Sequence, residues 1–215
     1  MIFARSASNE ARHKCFHSSF GKNENEKVAA YLNNRVIESC SNSGIPFYIV
    51  NQYSQNGATF GQRLANAYQQ VFDRGYQNII AVGNDCPQLS VKDLESAKHS
   101  LESGENTLGP TLDGGVYLIG INRTAFDFDQ FQSIEWKTSK VLNQLIDQLG
   151  VSDLLETKTD IDQPLTRHLA FDSCLSVIWQ LIVELIGDFT ILNSNGLRLN
   201  PIAIQSLSHR GPPLF

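Results

Sequence analysis

The stretch Asn78-Ile-Ile-Ala-Val82-Gly83-Asn84-Asp85-Cys86-Pro87 constrains the fold of this chain more than any other. A continuous apolar run is the pattern of a strand buried on both faces; a half-exposed strand would alternate. The run then stops at a glycine, an acid and a proline, and Ser90 with Asp93 supplies a hydroxyl N-cap with an acid three residues on. A helix to about Leu101 follows. Buried strand, turn and capped helix together specify an α/β layer structure, and ligands in such sheets sit beyond the carboxyl ends of the strands. Asp85 stands at that end. It is either a turn residue before Pro87 or an acid facing a ligand or its metal.

The same alternation extends in both directions. Ile2 to Ala4 and Pro46 to Val50 read as strands, and Glu26 to Ser41 and Phe60 to Arg74 as helices with apolar residues at helical spacing, the second stopped by Gly75. Thr107 to Pro110 and Val116 to Ile121 read as strands on either side of Asp113-Gly114-Gly115, where an antiparallel element can enter. Thr138 to Leu149 is helical, and Pro164 to Gly187 holds one or two more helices. The expectation is a three-layer α/β domain with a mostly parallel sheet over residues 1–187. Residues 188–215 form a tail, packed on the domain or at a subunit contact.

Charge and cysteine usage narrow the function classes. The formal net charge of -5 comes from 22 acids and 17 scattered bases, which disfavours a nucleic-acid partner. Any phosphate must be met locally, by a few bases, backbone amides or a cation. Cys15, Cys40, Cys86 and Cys174 form no CxxC pair, so free thiols in a reducing compartment are expected. The start Met1-Ile-Phe-Ala-Arg5 is too short and too soon charged for a signal peptide, giving a cytoplasmic expectation. Leu175 to Ile186 contains Gln180 and Glu184 and is too short to cross a bilayer. It reads as a core or interface helix, which leaves a homodimer open.

Three further segments carry groups suited to chemistry. Gly109-Pro-Thr-Leu-Asp113-Gly114-Gly115-Val-Tyr117 surrounds one carboxylate with glycines, which make either a plain hairpin or a close approach of backbone to ligand. Asp160-Ile-Asp162 puts two acids on one side of an extended segment; they are a solvated pair or hard ligands for Mg²⁺ or Mn²⁺. Gly57-Ala-Thr-Phe-Gly61-Gln-Arg63-Leu64 leads a guanidinium into a helix start, a place for an anion or an ordinary surface arginine.

Taken in order, Gly61-Gln-Arg63-Leu64, Gly83-Asn-Asp85-Cys86-Pro87, Gly109-Pro110-Thr-Leu-Asp113-Gly114-Gly115-Val-Tyr117-Leu-Ile-Gly120, Trp136-Lys-Thr138-Ser139-Lys-Val141-Leu142 and Asp160-Ile-Asp162-Gln-Pro164 resemble one family. It is the glycosyltransferase-like group often encoded beside radical-SAM proteins, distantly similar to phospholactate guanylyltransferase. The resemblance implies the nucleotide-diphospho-sugar transferase (GT-A) fold, a nucleotide or nucleotide-sugar substrate and a small-molecule acceptor. It also implies a Mg²⁺ or Mn²⁺ ion on Asp85 and Asp162, with Asp113 orienting the acceptor or acting as base. Gly114 and Gly115 would line the substrate, and Arg5, Lys14 and Arg63 would meet its phosphates.

The amino terminus departs from the family pattern. Relatives carry a proline and a glycine in the phosphate loop after Phe-Ala-Arg; here Ser6-Ala-Ser-Asn-Glu10-Ala-Arg-His-Lys14 has neither, and Glu10 adds a negative charge. Losing that glycine weakens backbone approach to a phosphate. Two readings follow: a metal-dependent glycosyl- or nucleotidyltransferase, or a nucleotide- or partner-binding protein that keeps the fold without turnover.

Overall fold

The computed structural model describes residues 1–17, 20–151 and 153–161. Asp162, Cys174, the helices expected between Pro164 and Gly187, and the tail lie outside the described residues. Within them the chain runs β1 (Ile2–Phe3), α1 (Ala7–Glu10), α2 (Lys22–Asn42), β2 (Ile49–Val50), α3 (Phe60–Phe72), β3 (Asn78–Val82), α4 (Val91–Glu102), β4 (Thr107–Pro110), β5 (Val116–Asn122), α5 (Phe128–Ser133) and α6 (Val141–Leu149). None of the described helices is long and apolar enough to cross a membrane.

Among the described residues the strands form one five-stranded sheet in the order β2-β1-β3-β5-β4. It is mixed, not mostly parallel: β1 runs parallel to β2 and β3, whereas β5 is antiparallel to both β3 and β4. The reason is the length of the β4–β5 connection. Residues 111–115 make a turn, and a parallel return would need a crossover of a dozen or more residues.

Alternation along β3 sorts side chains to two faces. Ile79 and Ala81 enter a core with Leu64, Tyr68 and Phe72 of α3, Phe131 of α5 and Leu145 of α6. Val82 enters a second core with Val36 and Cys40 of α2 and Leu94 and Ala97 of α4. Helices therefore cover both faces of the sheet, in three layers. Tyr68 is fully buried; its hydroxyl donates to the Ile119 carbonyl at 2.8 Å, and burial pushes the phenol well above its ordinary range.

Local signals fix the helix ends. Thr59 and Gln62 form a reciprocal capping box at the start of α3, and Ser90 and Asp93 do the same for α4. A β-bulge at Gly109 and Pro110 pairs Gly109 with Leu118 and Pro110 with Val116, leaving Tyr117 as the extra residue. Its ring joins the core on the α2 and α4 side and lies over Gly109, where an added Cβ would come within 2.4 Å of it. Glycine at 109 is a packing requirement.

Candidate active site

A cleft of about 610 Å³ opens beyond the carboxyl ends of β1 and β3. Arg5, Lys14, Arg63, Asp85, Asp113, Gly115 and Asp160 all line it, so segments far apart in sequence meet at one place. Gly114 shapes the turn beside it, at φ +88 with its backbone packed on Ser139.

Lys14 and Asp85 are joined by an ion pair of 2.8 Å between Nζ and Oδ1. The lysine side chain is only 10% exposed and the carboxylate 39%, so the pair sits at the wall of the cleft. Packing brings it there. Phe16, two residues after Lys14, is fully buried with Val28, Ala29 and Leu32 of α2, and its backbone N–H donates to Asn25 Oδ1 at 2.9 Å. Ile161 enters the same cluster, and its N–H donates to the Asp85 carbonyl at 2.8 Å. The acidic Asp160 segment is thereby fastened beside Asp85.

The departure at the amino terminus also has a structural answer. Ser6 to Glu10 forms the short helix α1, and Glu10 is buried and paired with Arg5 at 3.4 Å. Glu10 is thus matched by a cation across its own turn, and Arg5 is held in the cleft by it.

Asp113 is shaped by its turn: Thr111 Oγ1 donates to Oδ1 at 2.5 Å and the Gly115 N–H at 2.9 Å. Arg63 donates from Nη1 to the Ala58 carbonyl at 3.2 Å, which holds the glycine loop at the start of α3. The opposite wall is aromatic. Phe60 packs against Phe3 at 5.7 Å and against Trp136 at 5.3 Å between ring centroids, and all three line the cleft. Lys137, next to Trp136, has φ 68, the one positive φ outside glycine among the described residues. Such backbone is held only where the surroundings over-determine it. This wall had a visible sign in the sequence, Trp136-Lys-Thr138-Ser139, to which no role was assigned.

Behind the cleft lies a buried charge network that no sequence motif marks. Lys158 Nζ meets Asp93 Oδ2 at 3.0 Å, each side chain 9% exposed. The Ser90 N–H and hydroxyl donate to that same oxygen, and the Tyr117 hydroxyl donates to the Glu156 carbonyl at 3.2 Å. Burial and the Asp93 charge push the Tyr117 phenol upward. Burial likewise pushes the Cys86 thiol up to about 12, with Lys158 pulling weakly the other way. Because its folded pKa lies above the ordinary thiol value of 9.0, the thiol keeps its proton in the folded chain. That contribution to stability is whole below pH 9 and is lost as pH rises towards 12. Iodoacetamide at about pH 8 should therefore alkylate the exposed Cys15 and spare the buried Cys86. Peptide mass spectrometry reads this, and equal labelling of the two would contradict the placement of Cys86.

Whether a divalent cation suits these residues is decided by the donor set. Among the described residues no group of three His, Cys, Asp or Glu side chains converges. Mg²⁺ and Mn²⁺ need less: one or two carboxylates, with water and substrate phosphates completing the shell. Asp85, paired with Lys14, and the acidic segment fastened beside it supply carboxylates of that kind.

The fold and cleft define an α/β protein with a mixed sheet and a charged cleft at the strand ends. A family model described as an uncharacterized protein conserved in bacteria (DUF2064) matches residues 41–138. That span holds Arg63, Asp85, Asp113 to Gly115 and Trp136, and leaves out Arg5, Lys14 and Asp160. Among solved structures the chain is similar to one from Desulfovibrio desulfuricans G20 described as a "putative nucleotide-diphospho-sugar transferase". The TM-score is 0.65 at 18% identity, covering 89% of this chain and 96% of that one, a likeness of fold. No curated protein matches the sequence.

Proposed function

We propose that the chain is a metal-dependent transferase acting on a nucleotide sugar or a nucleoside triphosphate. The observation that carries this reading is the convergence of Asp85, Asp113, Asp160, Arg5, Lys14 and Arg63 on one cleft at the strand ends. Asp85 and Asp162 would hold Mg²⁺ or Mn²⁺, which when bound neutralises charge gathering on the leaving phosphate. Lys14, Arg5 and Arg63 add positive charge for the phosphates, Arg63 at the start of α3 where helix amides also favour an anion. Asp113, with Oδ1 fixed by its own turn, is a rigid carboxylate for orienting an acceptor hydroxyl or taking its proton. The Phe60 and Trp136 wall gives a base or sugar ring an apolar face to stack on.

The second reading, a binding protein without turnover, draws support from α1 and its Arg5–Glu10 pair, which stand where a glycine-bearing phosphate loop is expected. A thermal-shift panel of nucleotides and nucleotide sugars, with and without Mn²⁺, separates the two. A ligand that raises the melting temperature only with Mn²⁺, and loses that effect in Asp85→Asn, supports the cleft as the nucleotide site. Release of nucleoside diphosphate from a nucleotide sugar, or of diphosphate from a triphosphate, makes it a transferase; binding without release favours the second reading. No response from any ligand would sink the transferase reading and nucleotide binding, leaving only a partner-binding protein.

A further inference from the structure

Asn84 lines the cleft although the residue is only 7% exposed. A chain of hydrogen bonds across three elements orients its amide. The Arg5 carbonyl, just past β1, can only accept, so Asn33 of α2 turns its Nδ2 to it, at 3.1 Å. Asn33 Oδ1 is then left to accept, and Asn84 Nδ2 donates to it at 2.7 Å. Flipping either amide would set like against like. Asn84 Oδ1 is the end of the chain, and among the described residues nothing donates to it.

A buried amide oxygen without a donor is rare in a protein interior. This one is not sealed in. Gln148 Nε2 is the single fully buried side-chain polar atom without a partner among the described residues, so Asn84 Oδ1 keeps access to solvent, and the surface Asn84 lines is the cleft. Such an oxygen repels phosphate oxygens and receives a hydroxyl or amino group. Resting on the reading of the cleft as a nucleotide site, we propose that Asn84 accepts a hydrogen bond from a ribose hydroxyl and makes the site selective for ribonucleotides over deoxyribonucleotides. Position favours the ribose over the base. Asn84 precedes Asp85, on the side of the phosphates and cation, whereas a base ring has its apolar face at Phe60 and Trp136. The ribose joins those two parts of a nucleotide. Asn33 does not line the cleft and is a positioning residue.

The probes are ADP, GDP, CDP and UDP with MnCl₂, each compared with its 2′-deoxy and 3′-deoxy forms by isothermal titration calorimetry on the full chain. The natural chain should bind the ribonucleotide about tenfold more tightly than at least one deoxy form, the worth of one hydrogen bond. Asn84→Ala should bind the two alike. Asn33→Ala, which frees the amide to rotate, should narrow the preference to about threefold or less, and it decides alone if Asn84→Ala does not fold. A purely structural role would weaken ribo and deoxy forms together, so a ratio unchanged in the variants overturns the proposal, as does a natural chain that binds both forms alike. Loss in Asn84→Ala of discrimination between GDP and inosine diphosphate, which lacks the amino group, with the ribose preference kept, would assign the oxygen to a base and overturn it too. Each of these leaves the nucleotide site standing; failure of every diphosphate to bind would overturn both.

Discussion

Lys158→Met is expected to destabilise the chain by about 3 kcal/mol, the lower end of the cost of breaking a buried ion pair. Asp93 would be left 9% exposed with its charge uncompensated, yet Ser90 still donates two hydrogen bonds to it, which softens the loss. At this chain length the melting temperature should fall by roughly 6–12 °C. The double variant Asp93→Asn, Lys158→Met should recover much of it, because no unpaired charge remains. Differential scanning calorimetry distinguishes the outcomes; a Lys158→Met protein melting within about 2 °C of the natural chain would mean the pair is solvated. The effect also reaches function. Lys158 lies over the Tyr117 ring at 5.7 Å, and both Tyr117 and Cys86 form the cleft wall, so the pair holds that wall in place.

Gly114→Ala carries the second large effect. At φ +88 an added Cβ is strained in any surroundings, and here it would also come within 2.5 Å of the Ser139 carbonyl. Left-handed backbone costs about 1–2 kcal/mol and overpacking about 1–3 kcal/mol, so a total of roughly 2–5 kcal/mol is expected. The turn cannot relax cheaply. The Gly114 carbonyl accepts the Leu142 N–H at 3.0 Å, tying the hairpin to the start of α6. The displacement should pass to Asp113 and Ser139, both in the cleft, and weaken ligand binding along with stability. Gly44→Ala is the control, being at φ +67 with nothing within 4 Å of an added Cβ, so it loses only the backbone part. Equal losses in the two variants by chemical denaturation would remove the packing argument.

Much of the fold was legible because its signals are local. The apolar run of β3, the Ser90 and Asp93 cap, and the periodicity of α3 and α6 each lie within a few residues, and each element stands where those signals put it. The mixed sheet was half visible in the short turn at Asp113, but pairing of β5 with β3 is a long-range choice that no local pattern records. The bulge at Tyr117 depends on a register shift, again invisible in one strand. The site divides in the same way. Asp85, Asp113 and Arg63 stand at element ends and announced themselves; Lys14 announced only a charge. That its partner is Asp85 follows from Phe16 and Ile161 sharing a pocket on α2, and that Lys158 meets Asp93 follows from residues 154–158 running beside β4. Glu10 looked like a defect in a phosphate loop because its match, Arg5, is made by a helical turn that no periodic pattern marks.

The central claim is that a nucleotide's phosphates and a divalent cation meet at Asp85. The direct measurement is an anomalous difference map at the manganese edge from crystals grown with MnCl₂ and a nucleotide that stabilises the protein in the thermal panel. The account predicts a peak about 2.0–2.3 Å from an Asp85 carboxylate oxygen, next to the nucleotide's phosphate oxygens. A nucleotide bound in the cleft with no manganese at Asp85, or a nucleotide bound elsewhere, would contradict it.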